Sequence, residues 1–236
     1  MNPADSLTGH AVNAIPAKNH GKRWLFIVEV AVVALIFYLA WRHLLPVSKV
    51  PYLFVLGWLS LRLRGQRWKD VGFTIATNWP MLLFVGLLVG LGMEALELFV
   101  TQPALTKLLG KGPDLSQLNS LIGNGNKLVV ALVLFWVVAA FGEELFYRGF
   151  VMNRVAGVLG GSNGAWIVSF IFMIILFGLH HFSQGVTGVT ENIIDGAILG
   201  ALYLATGRNL FAPIIAHGIQ DTVDALLIYS GHYPGM

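Results

Sequence analysis

The chain has no cysteine at all. That excludes disulfides, a thiolate nucleophile and any Cys-ligated metal. Charge is nearly as scarce: Asp, Glu, Lys and Arg make up 11% of the 236 residues, against roughly 25% in an ordinary soluble domain. Several catalytic signatures are missing too. There is no His-Glu-x-x-His of the zincins, no Gly-x-Ser-x-Gly elbow and no Gly-x-Gly-Asp of the intramembrane aspartyl type. Phosphate loops and dinucleotide fingerprints are likewise absent.

What is present is apolar. Hydrophobic residues account for 56% of the chain, with seven Trp and 27 Gly, and the mean hydropathy is +0.71. At about 20 apolar residues per spanning helix, this length accommodates roughly six to eight spans and little else. Apolar segments fall at 24–45, 50–63, 79–100, 127–147, 164–182, 191–206 and 210–230. They lack strand periodicity, and lipid admits only helices or closed barrels. The expected fold is therefore all-α, a polytopic transmembrane bundle of about 7–8 helices around a polar intramembrane cavity. The second segment is short for a full crossing, and residues 101–126, rich in Gly and Pro, read as the longest polar connection.

The net charge of +3 and a pI near 9.3 do not indicate nucleic acid, because the cations sit beside apolar segments. Lys18, Lys22 and Arg23 precede the first span, and Arg62, Arg64, Arg67 and Lys69 follow the second. Both groups are expected on the cytoplasmic side. The run at 24–45 is too long for a signal-peptide core and reads as an uncleaved first span. This gives a polar cytoplasmic segment, 1–23, followed by one membrane domain, 24–236.

Polar residues interrupt the later spans at three places. Residues 128–142 carry no charge, and then Glu143, Glu144 and Arg148 follow within six positions. An ionisable group inside a bilayer costs a few kcal/mol on insertion scales. Glu144 and Arg148 are i,i+4 with the acid first, the favourable order for an ion pair. Glu143 lies about 100° around the helix, so one carboxylate can be held as structure while the other is free to act as a base. A purely structural ion-pair network is the plainer reading. The second interruption is Phe177-Gly-Leu-His180-His181 at a helix end. There His181 shares a face with Phe177, while His180 points away and reads as an interfacial residue. The third is His217-Gly-Ile-Gln-Asp221, with His and Asp on one face and Asp224 beyond. A hydrogen-bonded pair pinning two helices would explain it equally well. Lipid-facing placement penalises all three groups, so they are expected to converge on one wet cavity. Glu, His and Asp around a water form a hydrolytic set. Glu29, Glu94, Glu97 and Asp195 read as interfacial or helix-packing residues, Asp195 being the one best placed to join the site.

The ordered motifs Glu143-Glu144-Leu-Phe-Tyr-Arg148, Phe177-Gly-Leu-His-His181 and His217-Gly-Ile-Gln-Asp221 resemble those of the CPBP family. This group comprises type II CAAX prenyl endopeptidases and bacteriocin-processing (Abi) membrane proteins. The similarity spans about 127–230. It implies an intramembrane endopeptidase in which Glu143 and His181 activate a water. His217 and Asp221 would hold the oxyanion or complete a metal site, and Arg148 would fix Glu144. Many members carry Asn where Asp221 stands, and a charged carboxylate cannot stabilise an oxyanion. The cofactor is open: a divalent metal such as zinc on Glu143, His181 and His217 suits a two-His, one-carboxylate site, and a metal-free mechanism uses the same residues. The implied partners are the bilayer and a membrane-inserted or lipidated peptide, in the cytoplasmic membrane of a bacterium. The alternative is a non-catalytic membrane immunity or scaffold protein that retains the fold.

Overall fold

The computed structural model describes residues 23–75 and 78–234, so residues 1–22 of the expected cytoplasmic segment lie outside the described residues. Among the described residues the chain forms seven helical rods and no strand. They are α1 (Arg23–Trp41), α2 (Val50–Leu63), α3 (Trp79–Leu109), α4 (Gly125–Val158), α5 (Asn163–His180), α6 (Gly185–Ala205) and α7 (Phe211–Ser230). Five of them, α1, α3, α4, α5 and α7, are long and apolar enough to cross a membrane alone. Of the other two, α2 has only 14 residues and α6 carries Glu191 and Asp195.

Polarity is inverted relative to a water-soluble domain. Phe99, Ile167, Val129 and Ile27 are exposed, while Glu143, Glu144, Arg148 and His217 are buried. Only a hydrocarbon surround makes that arrangement favourable. The chain is an integral membrane protein.

Two helices run further than hydropathy suggested. The expected connection at 101–126 is helical as far as Leu109, because α3 passes through one π-helical turn, Glu97–Thr101, and resumes at Gln102. Pro103 then occupies the first turn of the resumed segment, where its missing N–H is tolerated. Similarly, α4 continues to Val158 rather than ending near 147. Its N-terminus is capped by the Asn124 side chain, which accepts from the Lys127 amide at 3.1 Å.

Two contacts set the frame around the site. The first is a close approach of α3 and α7. A Cβ on Gly86 would lie 2.9 Å from the Ala212 carbonyl, and one on Gly90 would lie 2.5 Å from that of Ala216. Small residues four apart on both helices let the backbones touch, and the matching order of the pairs makes the helices parallel. The second is Glu29 on α1. It accepts from Ser60 on α2 at 2.6 Å and pairs with Arg64 at 2.6 Å and with Arg154 on α4 at 2.7 Å. It is therefore a helix-packing residue. The main apolar core, with Phe146, Tyr147, Met173, Phe177 and Tyr203, fills the space between α4, α5 and α6.

Candidate active site

The first motif lies where α4 is wound as π-helix, over Phe135–Glu143 and again over Leu145–Met152. Such winding is rare and concentrates at functional positions. Here it places two adjacent carboxylates in different surroundings. Glu144 is fully buried, and its Oε1 accepts from Arg148 Nη1 at 2.6 Å and from His217 Nδ1 at 3.0 Å. Arg148, also fully buried, donates through Nη2 to the Gly196 carbonyl at 3.1 Å and lies 4.4 Å over the Phe177 ring. Glu144 is thus tied to α7 directly and to α6 through its arginine.

Glu143 faces other partners. Its Oε1 is 3.5 Å from His180 Nε2, and its Oε2 has no hydrogen-bond partner although it is buried. On its other nitrogen, His180 makes a short hydrogen bond with the Tyr147 hydroxyl. A tyrosine donating to Nδ1 leaves the hydrogen on Nε2, directed at the carboxylate. Tyr147, His180 and Glu143 therefore form a chain across α4 and α5.

The histidine against Glu143 is thus His180, not His181 as the motif spacing suggested. His180 is buried rather than interfacial; its ring is held against the Tyr147 hydroxyl on α4. His181, just past the helix, has its Nδ1 3.2 Å from the Phe177 carbonyl. A carbonyl only accepts, so Nδ1 carries the hydrogen and Nε2 keeps its lone pair. His217 Nε2 lies 3.7 Å from Asp221 Oδ2, beyond hydrogen-bond range. Gly218 beside it leaves room for the Trp136 ring, since a Cβ there would meet that ring at 2.6 Å.

A cavity of about 180 Å³ opens against this group, with His181, His217 and Asp221 in its wall. The lining continues through Glu97, Glu191, Asp195 and Asp224. Phe177, His181, His217, Gln220 and Asp221 of the second and third motifs therefore line the cavity, whereas Glu143, Glu144 and Arg148 of the first do not. Asp195 does join the cavity. Glu94 and Glu97, read from sequence as interfacial or packing residues, are buried. Their signal was available: 86, 90 and 94 continue one helical stripe, as do 212, 216, 220 and 224.

At the edge of the site, Lys49 precedes α2. Its ammonium lies 5.9 Å from the Phe37 ring and 5.8 Å from Phe182. Burial pushes its pKa below the usual lysine value, and the nearby Glu143 carboxylate opposes that shift.

As a metal centre, the set Glu143, His181 and His217 does not fit. Among the described residues, the His and carboxylate donors that come within 4.8 Å of one another in a group of three are those of Glu94, Glu97 and Asp224. His217 also turns Nδ1 to Glu144 and Nε2 towards Asp221.

Comparison with curated proteins finds no match, and neither does comparison with solved structures. A family profile does match. It is Rce1-like, described as "Type II CAAX prenyl endopeptidase Rce1-like", and it covers residues 125–223. The matched region begins with the first residue of α4 and contains all three motifs. The segment that builds this site, residues 125–223, is thus similar to the Rce1-like family of type II CAAX prenyl endopeptidases.

Proposed function

We propose that the protein is a membrane-embedded endopeptidase that hydrolyses a peptide bond in a membrane-inserted or lipidated peptide. Glu143 is the general base. One contrast carries this reading: Glu143 has the His180 ring 3.5 Å from its Oε1 and a buried, partnerless Oε2, whereas Glu144, whose Oε2 is also partnerless, is held through Oε1 by the Arg148 guanidinium and by His217. A water bound at Glu143 Oε2 gives its proton to the carboxylate as its oxygen attacks the scissile carbonyl carbon. When the tetrahedral intermediate collapses, the C–N bond breaks and the same proton passes to the departing amine. His180, backed by Tyr147, orients Glu143. His181 Nε2 accepts the second hydrogen of the water. His217, with hydrogen on both nitrogens, donates to the developing oxyanion. Glu144 and Asp221 compensate the ring's charge. Asp221 thus serves His217, a role that an anionic residue at this position can fill.

The basic groups ahead of α1 and after α2 favour a cytoplasmic-side orientation in a cell membrane. In reconstituted vesicles, wild-type protein should cleave a lipidated peptide or its unlipidated counterpart. Glu143→Gln should lower cleavage by about 10²–10⁴-fold while leaving the fold intact. Wild-type rates from Glu143→Gln would reject the assignment. No cleavage of either peptide by wild type, with a cellular phenotype unaffected by Glu143→Gln, would establish the non-catalytic scaffold instead.

A further inference from the structure

A second set of carboxylates lies on the far side of the cavity and plays no part in the mechanism above. Glu94 projects from α3 just before its π-helical turn and Glu97 from the start of that turn, and Asp224 projects from α7. The close contact at Gly86 and Gly90 puts them opposite one another. One ligand oxygen from each lies within 4.8 Å of the other two. Three points so spaced are no farther than about 2.8 Å from a shared centre, close to the roughly 2.3–2.6 Å at which calcium takes oxygen ligands.

The polar partners of this group fall short of its charge. Glu97 accepts only neutral donors, Gln220 Nε2 at 2.8 Å and the Tyr233 hydroxyl at 3.0 Å. Both Glu94 oxygens are buried with no partner, in a side chain only 4% exposed. Asp224 Oδ1 is also partnerless. Arg64 and Arg154 are committed to Glu29, and Arg148 to Glu144, so none of these three neutralises the cluster. Independently, Glu191 on α6, also 4% exposed, has a partnerless Oε1 and lines the cavity shared with Glu97 and Asp224. Buried carboxylates without partners are strongly disfavoured unless something charged completes them.

We infer that Glu94, Glu97 and Asp224 form a site for a hard divalent cation, with Ca²⁺ the best fit and Glu191 reaching it directly or through water in the cavity. The donors are all carboxylate oxygens, which suit Ca²⁺, Mg²⁺ or Mn²⁺ rather than zinc. Mg²⁺ demands a near-ideal octahedron at about 2.0–2.1 Å and gives up its waters reluctantly, so a cluster of protein carboxylates suits it less well. The adjoining cavity has space for the waters that fill the remaining coordination positions. Such an ion would join α3 to α7.

The test uses the full chain, stripped with EGTA and held in detergent or nanodiscs. Calorimetric titration with CaCl₂, MgCl₂ and ZnCl₂ should show one saturable Ca²⁺ site per chain, preferred over the other two ions. Added Ca²⁺ should raise the melting temperature of the wild type, and EGTA should reverse the rise; this readout needs no variant. Glu94→Gln and Asp224→Asn should weaken Ca²⁺ binding about tenfold or more, as loss of a ligand or its support does elsewhere. Asp114→Asn, at an exposed position, and Glu143→Gln should bind as wild type does. The inference is overturned if Ca²⁺ at about 1 mM, the weak end of natural sites, neither binds nor shifts melting. It is also overturned if Glu94→Gln and Asp224→Asn bind like wild type. The cluster would then be held by shared protons. Neither result depends on peptide cleavage.

Discussion

The two polar regions that flank the cavity manage buried charge in opposite ways. On the α4–α5 side every charge has an answer from the chain. Arg148 meets Glu144, His217 meets Glu144 and Asp221, and Tyr147 backs His180 against Glu143. Glu143 differs in having no arginine on either oxygen, and its Oε2 is partnerless, as are Glu144 Oε2 and Asp221 Oδ2. On the α3–α7 side, carboxylates outnumber donors, and Glu94 has no partner at either oxygen. A self-compensated network can be retained through an insertion cost because breaking it is worse than keeping it. An uncompensated cluster needs a solute. The carboxylate without an arginine marks where chemistry can occur, and the cluster of carboxylates without any cation marks where a metal ion can sit.

The largest effect should come from breaking the compensated side. Arg148→Ala leaves Glu144 buried without its closest cation and should cost about 3–5 kcal/mol of stability, read as a sharp fall in melting temperature or loss of the folded protein. Glu143→Gln keeps size and hydrogen bonding but removes the base. Peptide cleavage should fall by about 10²–10⁴-fold with little change in melting. Gly90→Val tests the frame of the other side. A Cβ there meets the Ala216 carbonyl, and overpacking should cost about 1–3 kcal/mol while weakening Ca²⁺ binding, because α3 is pushed off α7.

Neutralising one acid on each side contrasts the two regions directly. Glu144→Gln should destabilise. In EGTA, Glu94→Gln should stabilise, by up to about 1–3 kcal/mol, the cost of a buried unsatisfied polar group. If both variants destabilise in EGTA, the contrast fails. The smallest effect concerns pH. Lys49 has a folded pKa below its unfolded one, so the unfolded chain binds more protons between the two values. Stability should therefore rise with pH from the folded pKa up to the unfolded one, and Lys49→Met should flatten that rise in a melting series.

The seven apolar segments and the helical class were legible because lipid leaves a backbone no other way to satisfy its hydrogen bonds. Glu144 and Arg148 were legible as a pair from their spacing alone. The reach of α3 was not, since Pro103 and the glycines after it resemble a loop until a π-helical turn lets the helix resume. Nor was the histidine against Glu143, because spacing from Phe177 ranks faces within one helix and is blind to how α5 meets α4. Glu94 and Glu97 were passed over although the stripe of Gly86 and Gly90 leads straight to Glu94. That stripe gains meaning only beside Ala212, Ala216, Gln220 and Asp224 on a helix more than 100 residues later.

From its order of residues alone, the chain was bound to be a helical membrane protein with acid, imidazole and guanidinium groups drawn inward, because hydrocarbon penalises them anywhere else. Which carboxylate is held by an arginine, which histidine meets Glu143, and that a second acidic centre exists were settled by helix packing. Those outcomes depend on contacts of a few ångströms between distant segments, and no local spacing encodes such contacts.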